Sequence, residues 1–332
     1  MDDEDNLNIS EWKTLLLEDF HRPVRPFPPK LLFPEVPGED LGIDGIVSNF
    51  LFFRNWWWVA LPISVLYIVG IFWLEHHMKF RPAYSLRGPL IVWNGLLAVF
   101  SIWGALRLVP ALLYDLTQNL GCEGCGIGAS WMYFFVWSKL FELGDTLFIV
   151  LRKRPLIFLH WYHHITVLLY TWYGTDGGTA CGAYFCATNV FIHSLMYSYY
   201  AARSLGAHIP RVMQMSLTAL QILQMIIGIT VSAISYHYKT RYGSGCAASV
   251  EIILVSIAML VSYAVLFSLF FYKTYIRGVK SSDALSPLAL LMGVKGVIGG
   301  MFAFVGEFND SFTGDLEDDE EEEKRLLHEH TD

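Results

Sequence analysis

Four polar stretches contain the residues of this sequence that are able to do chemistry. They read KLFELGDT from residue 139, HWYHH from residue 160, NVFIHSLMYSYY from residue 189 and TALQILQ from residue 218. Each lies in an apolar segment, where a charged side chain costs roughly 2.5–3.5 kcal/mol on membrane-insertion scales and therefore needs a partner or a function. The candidate site residues are Lys139, Glu142, Asp145, Thr146, His160, His163, His164, Asn189, His193, Tyr197, Thr218 and Gln221.

Helical spacing predicts that these residues meet. The polar residues of 139–146 fit within an arc of roughly 120° on one helical face, and the three histidines of 160–164 form another stripe. At a rise of about 1.5 Å per residue, the stripes of four consecutive helices reach overlapping depth, roughly 10–15 Å from flanking basic residues. We therefore predict one buried site, although Thr218 and Gln221 are also explained as packing contacts, and Lys139 with Glu142 and Asp145 as a structural ion network.

Clustered intramembrane histidines are typical of two chemistries. One is metal binding, since HxxHH occurs in membrane di-iron desaturases and hydroxylases. Only His160, His163, His164 and His193 lie in predicted core segments, which is too few for two irons, although a single metal with carboxylate help stays open. A non-enzymatic alternative is a proton-coupled transporter.

The other chemistry is nucleophilic and acid–base catalysis on an activated acyl group. A neutral imidazole attacks a thioester, and a neighbouring carboxylate, here Asp145 or Glu142, fixes its tautomer and stabilises positive charge. Amide and hydroxyl donors such as Asn189, Tyr197 and Gln221 are suited to stabilise an oxyanion.

The composition indicates that these residues belong to a membrane protein. Of 332 residues, 54% are hydrophobic and 16% charged, with a mean hydropathy of +0.41. Too few charges remain to cover a soluble protein of this size. Seven apolar stretches are long enough to span a bilayer, near residues 56–74, 89–113, 131–151, 157–173, 183–202, 212–236 and 247–272. The sequence predicts an all-α integral membrane protein with about seven transmembrane helices enclosing an intramembrane active-site chamber.

Basic residues predict the orientation of these helices. They concentrate after the first, third, fifth and seventh stretches, which places the N-terminus in the lumen and the C-terminus in the cytosol. The positions with a candidate role at this surface are Arg152, Lys153, Arg203, Arg211, Lys273 and Arg277. Cys122, Cys125 and Cys246 then lie on the lumenal side, where a disulfide from Cys122 or Cys125 to Cys246 is plausible and free thiols are the alternative.

The chain divides into four regions by composition. Residues 1–50 form an acidic and proline-rich N-terminal segment, and residues 51–280 the seven-helix catalytic membrane domain. Residues 281–306 are apolar but of uncertain topology. Residues 307–332 form a tail that contains the run DLEDDEEEE, a composition typical of disorder.

The four motifs together, in this order on successive helices, resemble the very-long-chain fatty acid elongase family, the condensing enzymes of membrane fatty acid elongation. The stretch LIFLHWYHHITVLLYTWY is similar to the branch that acts on saturated and monounsaturated chains. The resemblance implies a 3-oxoacyl-CoA synthase that joins acyl-CoA with malonyl-CoA. It implies an acyl-imidazole intermediate at His163 with His193 as a partner or alternative, while His160 and His164 position the thioester or move protons.

The same resemblance implies the partners and the location. The substrates are a long-chain acyl-CoA and malonyl-CoA, whose phosphates the basic residues at the cytosolic surface would bind. Neither a metal nor another cofactor is expected, and no nucleic acid. The protein would reside in the endoplasmic reticulum membrane beside the reductases and dehydratase of the elongation cycle, with a homodimer left open.

Overall fold

The computed structural model describes residues 41–118, 129–175, 180–242 and 248–277, and these residues are helical apart from short connections. In chain order the helices are α1 (Gly42–Trp56), α2 (Ala60–Met78), α3 (Arg87–Gln118), α4 (Ala129–Glu142), α5 (Asp145–Leu151), α6 (Phe158–Gly174), α7 (Ala180–Leu205), α8 (Arg211–Tyr242) and α9 (Val250–Phe271). A 3-10 turn, Trp57–Val59, joins α1 to α2, and a π-helical segment, Tyr272–Arg277, follows α9. The described ranges contain no strand, so the predicted all-α class is confirmed.

Four stretches of the described residues are long and apolar enough to cross a membrane. They are Asp44–Met78, Arg87–Leu113, Arg211–Arg241 and Val250–Ile276. The other three predicted spans correspond to α4 with α5, to α6 and to α7. Helices α4, α5 and α6 contain 14, 7 and 17 residues, fewer than the roughly 20 that a span needs, whereas α7 contains 26 residues. The protein is an integral membrane protein with several spans, and the count of seven stays a prediction.

The helices close into a ring. α4 packs on α6, α6 on α9, α9 on α8, α8 on α7, and α7 returns to α4. Outside this ring, α3 packs along α7, while α2 lies against α5 and α6. Side chains that point inward from α4, α6 and α7 are therefore brought together and shielded from lipid, as the predicted chamber requires.

One end of the ring is basic. We use the name basic end for residues 79–87, 151–157, 203–211 and 272–277. Backbone groups tie its connections together, since the Tyr84 N–H donates to the Leu151 carbonyl at 3.0 Å. The Arg211 guanidinium donates to the Thr274 carbonyl at 3.1 Å. The three connections and the end of α9, which were predicted to share one membrane surface, lie together at one end of the ring.

An aromatic cluster closes the opposite end. Phe53 of α1 has no exposed surface and packs against Tyr133, Trp137 and Trp172 of α4 and α6, with ring centroids 5.3–6.1 Å apart. The Trp137 indole also donates to the Asn49 side chain of α1 at 2.9 Å. Helix α1 therefore belongs to the membrane domain, although its first half falls in the segment that we assigned to the N-terminal region.

Several predictions concern residues outside the described ranges. These are the disulfide from Cys122 or Cys125 to Cys246, the apolar segment 281–306, the tail 307–332 and most of the N-terminal segment. Cys186, in α7, is a buried free thiol.

Candidate active site

The third predicted span is interrupted at Gly144. This break places Lys139 and Glu142 on one helix and Asp145 and Thr146 on the next. Instead of one helix over 131–151, α4 ends at Glu142 and α5 begins at Asp145. A Cβ added to Gly144 would lie 2.6 Å from Cζ2 of Trp93, so the ring of Trp93 occupies the space that any side chain would need. The four polar residues of 139–146 therefore lie on two helices instead of one. Lys139, Glu142 and Asp145 all have partners on α7, whereas Thr146 bonds to α2 and α6.

The residues of α4 form a buried ion network. Lys139 and Glu142 are 1% and 3% exposed, and the Lys139 Nζ lies 2.8 Å from Glu142 Oε1. Lys139 also donates to the Asn189 side-chain oxygen at 2.9 Å, and the Ser138 hydroxyl donates to Glu142 at 3.0 Å. On α7, Nδ1 of His193 lies 3.6 Å from Glu142 Oε1. Because charges in such a site need partners, the network accounts for both ions and orients one imidazole.

Asp145 and Thr146 of α5 bond to different helices. Asp145 accepts a hydrogen bond from the Trp93 indole at 2.6 Å and another from the Tyr197 hydroxyl at 2.8 Å. Thr146 bonds to His160 Nε2 at 3.0 Å. Of the two carboxylates that we considered as orienting groups, Glu142 is the one beside an imidazole. Asp145 instead joins α5 to α3 and α7.

The three histidines of α6 have different surroundings. His160 bonds to Thr146, and its ring lies 4.4 Å from that of His164. His164 is buried, and its Nδ1 has no partner. The ring of His163 contacts that of Tyr263 on α9 at 4.9 Å and lies 5.7 Å from that of His164. Among the hydrogen bonds of the described ranges, none engages the His163 imidazole.

Helix α8 does not contribute as expected. The Thr218 hydroxyl donates to the Gln214 carbonyl of its own helix, and the Gln221 amide lies 3.6 Å from the Met196 sulfur on α7. Both side chains therefore bond to packing partners instead of the histidines. Their polarity predicted that they face the site. A buried threonine hydroxyl can instead donate to a carbonyl in the preceding turn of its own helix.

The predicted cationic residues all lie at the basic end. Arg152 and Lys153 follow α5, and Arg203 lies near the end of α7. Arg211 begins α8 and lies over the Tyr275 ring, with Cζ 5.9 Å from its centroid. Lys273 and Arg277 belong to the π-helical segment, where the described part of the chain ends.

Sequence reasoning missed four side chains that complete the site. Trp93 holds Asp145, Ser138 holds Glu142, and the Tyr67 hydroxyl bonds to Thr146 at 2.6 Å. The fourth is Tyr263, which packs on His163. Trp93 offered the one usable signal, because a buried indole N–H normally requires an acceptor. Within the described ranges, no three His, Cys, Asp or Glu side chains are grouped to hold a metal ion.

Comparison with known proteins identifies the family. The ELO family, described as GNS1/SUR4, matches residues 52–283. The chain is similar to very long chain fatty acid elongase 6 of Drosophila melanogaster, 45% identical over 257 residues that cover 73% of this chain and 80% of the relative. It is also 41% identical to human very long chain fatty acid elongase 3 over 234 residues, covering 68% of this chain and 86% of that protein. The chain therefore belongs to the ELO (GNS1/SUR4) family of multi-pass membrane fatty acid elongases.

Proposed function

We propose that this elongase is a 3-oxoacyl-CoA synthase. It joins a long-chain acyl-CoA with malonyl-CoA and releases CoA and carbon dioxide. The observation that carries the proposal is the pairing of two unlike imidazoles in one buried site. His163 packs on Tyr263 with nitrogens that no hydrogen bond of the described ranges engages, whereas His193 is held 3.6 Å from a carboxylate of the Lys139–Glu142 pair.

The first half-reaction transfers the acyl group to His163. A neutral imidazole nitrogen attacks the thioester carbonyl, the C–S bond breaks, and the proton of the other ring nitrogen passes to the leaving thiolate. The products are an acyl-imidazole and CoA. His163 suits the nucleophile, because its lone pair is not already used by a hydrogen bond. His160 is less suitable because Thr146 engages it.

The second half-reaction forms the carbon–carbon bond. Malonyl-CoA loses carbon dioxide, and the electron pair of the broken C–C bond becomes an enolate that attacks the acyl-imidazole. Imidazolate leaves and takes one proton from solvent, which balances the reaction. Since decarboxylation supplies the carbanion, no strong base is required. The Asn189 amide, whose oxygen accepts from Lys139, keeps N–H groups that would stabilise the oxyanions of both steps, whereas the Tyr197 hydroxyl already donates to Asp145.

The basic end gives the site its orientation. By the positive-inside rule it faces the cytosol, where CoA thioesters are available, in the membrane of the endoplasmic reticulum. The acyl tail would then extend toward the aromatic cluster. Asn8 lies in the glycosylation sequence NIS and Asn309 in NDS. A glycan on Asn8 after expression in microsomes supports this orientation, and a glycan on Asn309 alone would reverse it.

The decisive experiment replaces the nucleophile. His163→Ala is expected to abolish incorporation of carbon from labelled malonyl-CoA, while His237→Ala, an exposed histidine at the opposite end, leaves it unchanged. Mass spectrometry of the parent protein incubated with acyl-CoA alone is expected to show an acyl mass on the peptide that contains His163. Near-normal turnover by a folded His163→Ala variant would refute the nucleophile assignment.

A further inference from the structure

A chain of two hydrogen bonds joins helix α2 to the first histidine of α6. The Tyr67 hydroxyl lies 2.6 Å from the Thr146 hydroxyl, which in turn lies 3.0 Å from His160 Nε2. Thr146 has no exposed surface, and the Tyr67 ring packs against a buried cluster that includes Val150 of α5. We use the name relay for Tyr67, Thr146 and His160. The acyl-transfer steps above give Tyr67 no role.

The middle residue of the relay differs from other helical threonines of this protein in where its hydroxyl bonds. Thr166 and Thr171 each donate to the carbonyl four residues earlier in their own helix, as buried threonines commonly do. The described residues show no such bond for Thr146. Because the helix is interrupted at Gly144, Thr146 is only the second residue of α5, and less than one turn precedes it. Its hydroxyl is therefore available to link two other helices.

The direction of the two hydrogen bonds follows from matching each O–H with an acceptor. If the Tyr67 hydroxyl donates to Thr146, then Thr146 donates to His160 Nε2, and both hydroxyl protons are satisfied. In the reverse direction the Tyr67 O–H has no acceptor among the described residues. If Tyr67 and His160 both donate to Thr146, the Thr146 O–H has none there. The hydrocarbon of a membrane supplies no replacement acceptor, so the first direction is favoured.

This direction determines which nitrogen of His160 carries the proton. A neutral imidazole has a single N–H, so an Nε2 that accepts places the proton on Nδ1. Among the bonds of the described ranges, none engages His160 Nδ1. The His160 ring lies 4.4 Å from that of His164, and the His164 ring lies 5.7 Å from that of His163. Beside the nucleophile, His160 therefore offers a donor to a bound molecule and not a lone pair.

We propose that Tyr67 is a positioning residue of the condensation reaction, which holds His160 as the Nδ1–H tautomer through Thr146. This role rests on the proposed function. An N–H held in one tautomer stabilises the negative charge that develops on a thioester oxygen, because it need not reorganise during the step. Of the two roles expected from the sequence, His160 then positions the thioester and does not move protons. The relay transfers no proton, so the balance of the two half-reactions is unchanged.

Three variants of the full-length protein in lipid nanodiscs test the relay. Tyr67→Phe removes the phenol hydroxyl and keeps the ring. Thr146→Val removes the middle hydroxyl at nearly the same shape, and Thr146→Ser retains it. Tyr162→Phe is the matched control, because the Tyr162 hydroxyl also bonds to a hydroxyl, that of Ser262, which donates to a backbone carbonyl and not to a histidine. Melting temperatures check that every variant is folded.

Nitrogen-15 NMR of the resting, histidine-labelled protein measures the tautomer, because protonated and unprotonated ring nitrogens resonate in different ranges. The His160 signals are assigned by their absence in His160→Gln. We expect the proton on Nδ1 in the parent, in Tyr162→Phe and in Thr146→Ser, and a mixture of tautomers in Tyr67→Phe and Thr146→Val. A proton on Nε2 in the parent, or a tautomer that does not change in Tyr67→Phe, overturns the proposal.

Steady-state kinetics separate positioning from a purely structural role. Tyr67→Phe and Thr146→Val are expected to lower kcat about tenfold and to leave KM for acyl-CoA within about twofold, because the donor acts on charge that develops in the transition state. Thr146→Ser is expected to retain most of the parent's kcat. A folded Tyr67→Phe variant with the parent's kcat, or with a change in KM alone, overturns the positioning role.

These outcomes are distinguishable from failure of the proposed function. A parent protein that does not condense malonyl-CoA refutes the synthase. An Nδ1 proton that depends on Tyr67 in the resting protein still supports the relay in that case, because the tautomer is measured without turnover. Conversely, an active parent whose His160 tautomer is indifferent to Tyr67 retains the synthase and refutes the relay.

Discussion

Replacing Glu142 by glutamine is expected to destabilise the protein strongly, because it leaves the Lys139 ammonium buried without its counter-ion. At 2.8 Å and an effective dielectric constant of about 20, the attraction between the two charges is about 6 kcal/mol. The Asn189 oxygen at 2.9 Å and the Phe135 ring, whose centroid lies 4.1 Å from Nζ, retain part of that energy. The expected loss in free energy of unfolding is about 3–5 kcal/mol.

A double-mutant cycle isolates this effect. Lys139→Met alone leaves the carboxylate unpaired and is expected to cost a similar amount. The double variant with Lys139→Met and Glu142→Leu removes both charges and is expected to lie within about 2 kcal/mol of the parent, since apolar replacement of a buried pair is often nearly neutral. Denaturant titration in detergent, followed by tryptophan fluorescence, measures all four proteins.

The same double variant separates stability from catalysis. It is expected to fold and yet to lose most of its turnover of malonyl-CoA, because His193 no longer lies beside a carboxylate. Single variants that each cost less than about 1 kcal/mol would refute the buried ion network. A double variant with normal turnover would refute the positioning role of Glu142.

The remaining predictions concern packing. Gly144→Ala is expected to cost about 1–3 kcal/mol in thermal unfolding, because its Cβ would lie 2.6 Å from Trp93, and unchanged stability would disprove that contact. Trp93→Phe removes the indole N–H that donates to Asp145 and is expected to lower the free energy of unfolding by about 1–3 kcal/mol. A melting temperature equal to the parent's would contradict this expectation. Phe53→Ala, at a site with no exposed surface, should cost about 3–5 kcal/mol, whereas Phe80→Ala, at a site 85% exposed, should leave unfolding unchanged.

Helical periodicity was sufficient for much of the site. The three-residue interval from Lys139 to Glu142 predicted their proximity, and the motifs predicted that α4, α6 and α7 meet, although α8 was expected there and α9 was not. Apolar length also located the seven stretches that became α2 to α9. These features depend on spacing along one helix, which a sequence records directly.

Features that depend on contacts between distant segments could not be predicted in this way. A glycine inside a helical pattern usually signals only a weak preference against helix, and nothing local in the sequence shows that the Trp93 ring fills the space beside Gly144. Helix α1 was missed for the same reason, since Phe53 is an ordinary aromatic residue until the helices that cover it are known. Thr218 was expected in the site because its side chain is polar, and the acceptor that satisfies it lies in its own helix.

The break at Gly144 also decides how the two ends of the site are connected. Because the helix is interrupted there, α5 is a separate helix of seven residues. It carries Asp145 and Thr146 at one end, and Arg152 follows its other end. Trp93 and Tyr197 bond to Asp145 at the inner end of α5, and His160 bonds to Thr146 beside it. Helix α5 thus links the turn at Arg152 to the Thr146–His160 bond within seven residues, while the Lys139–Glu142 pair lies on the other side of Gly144.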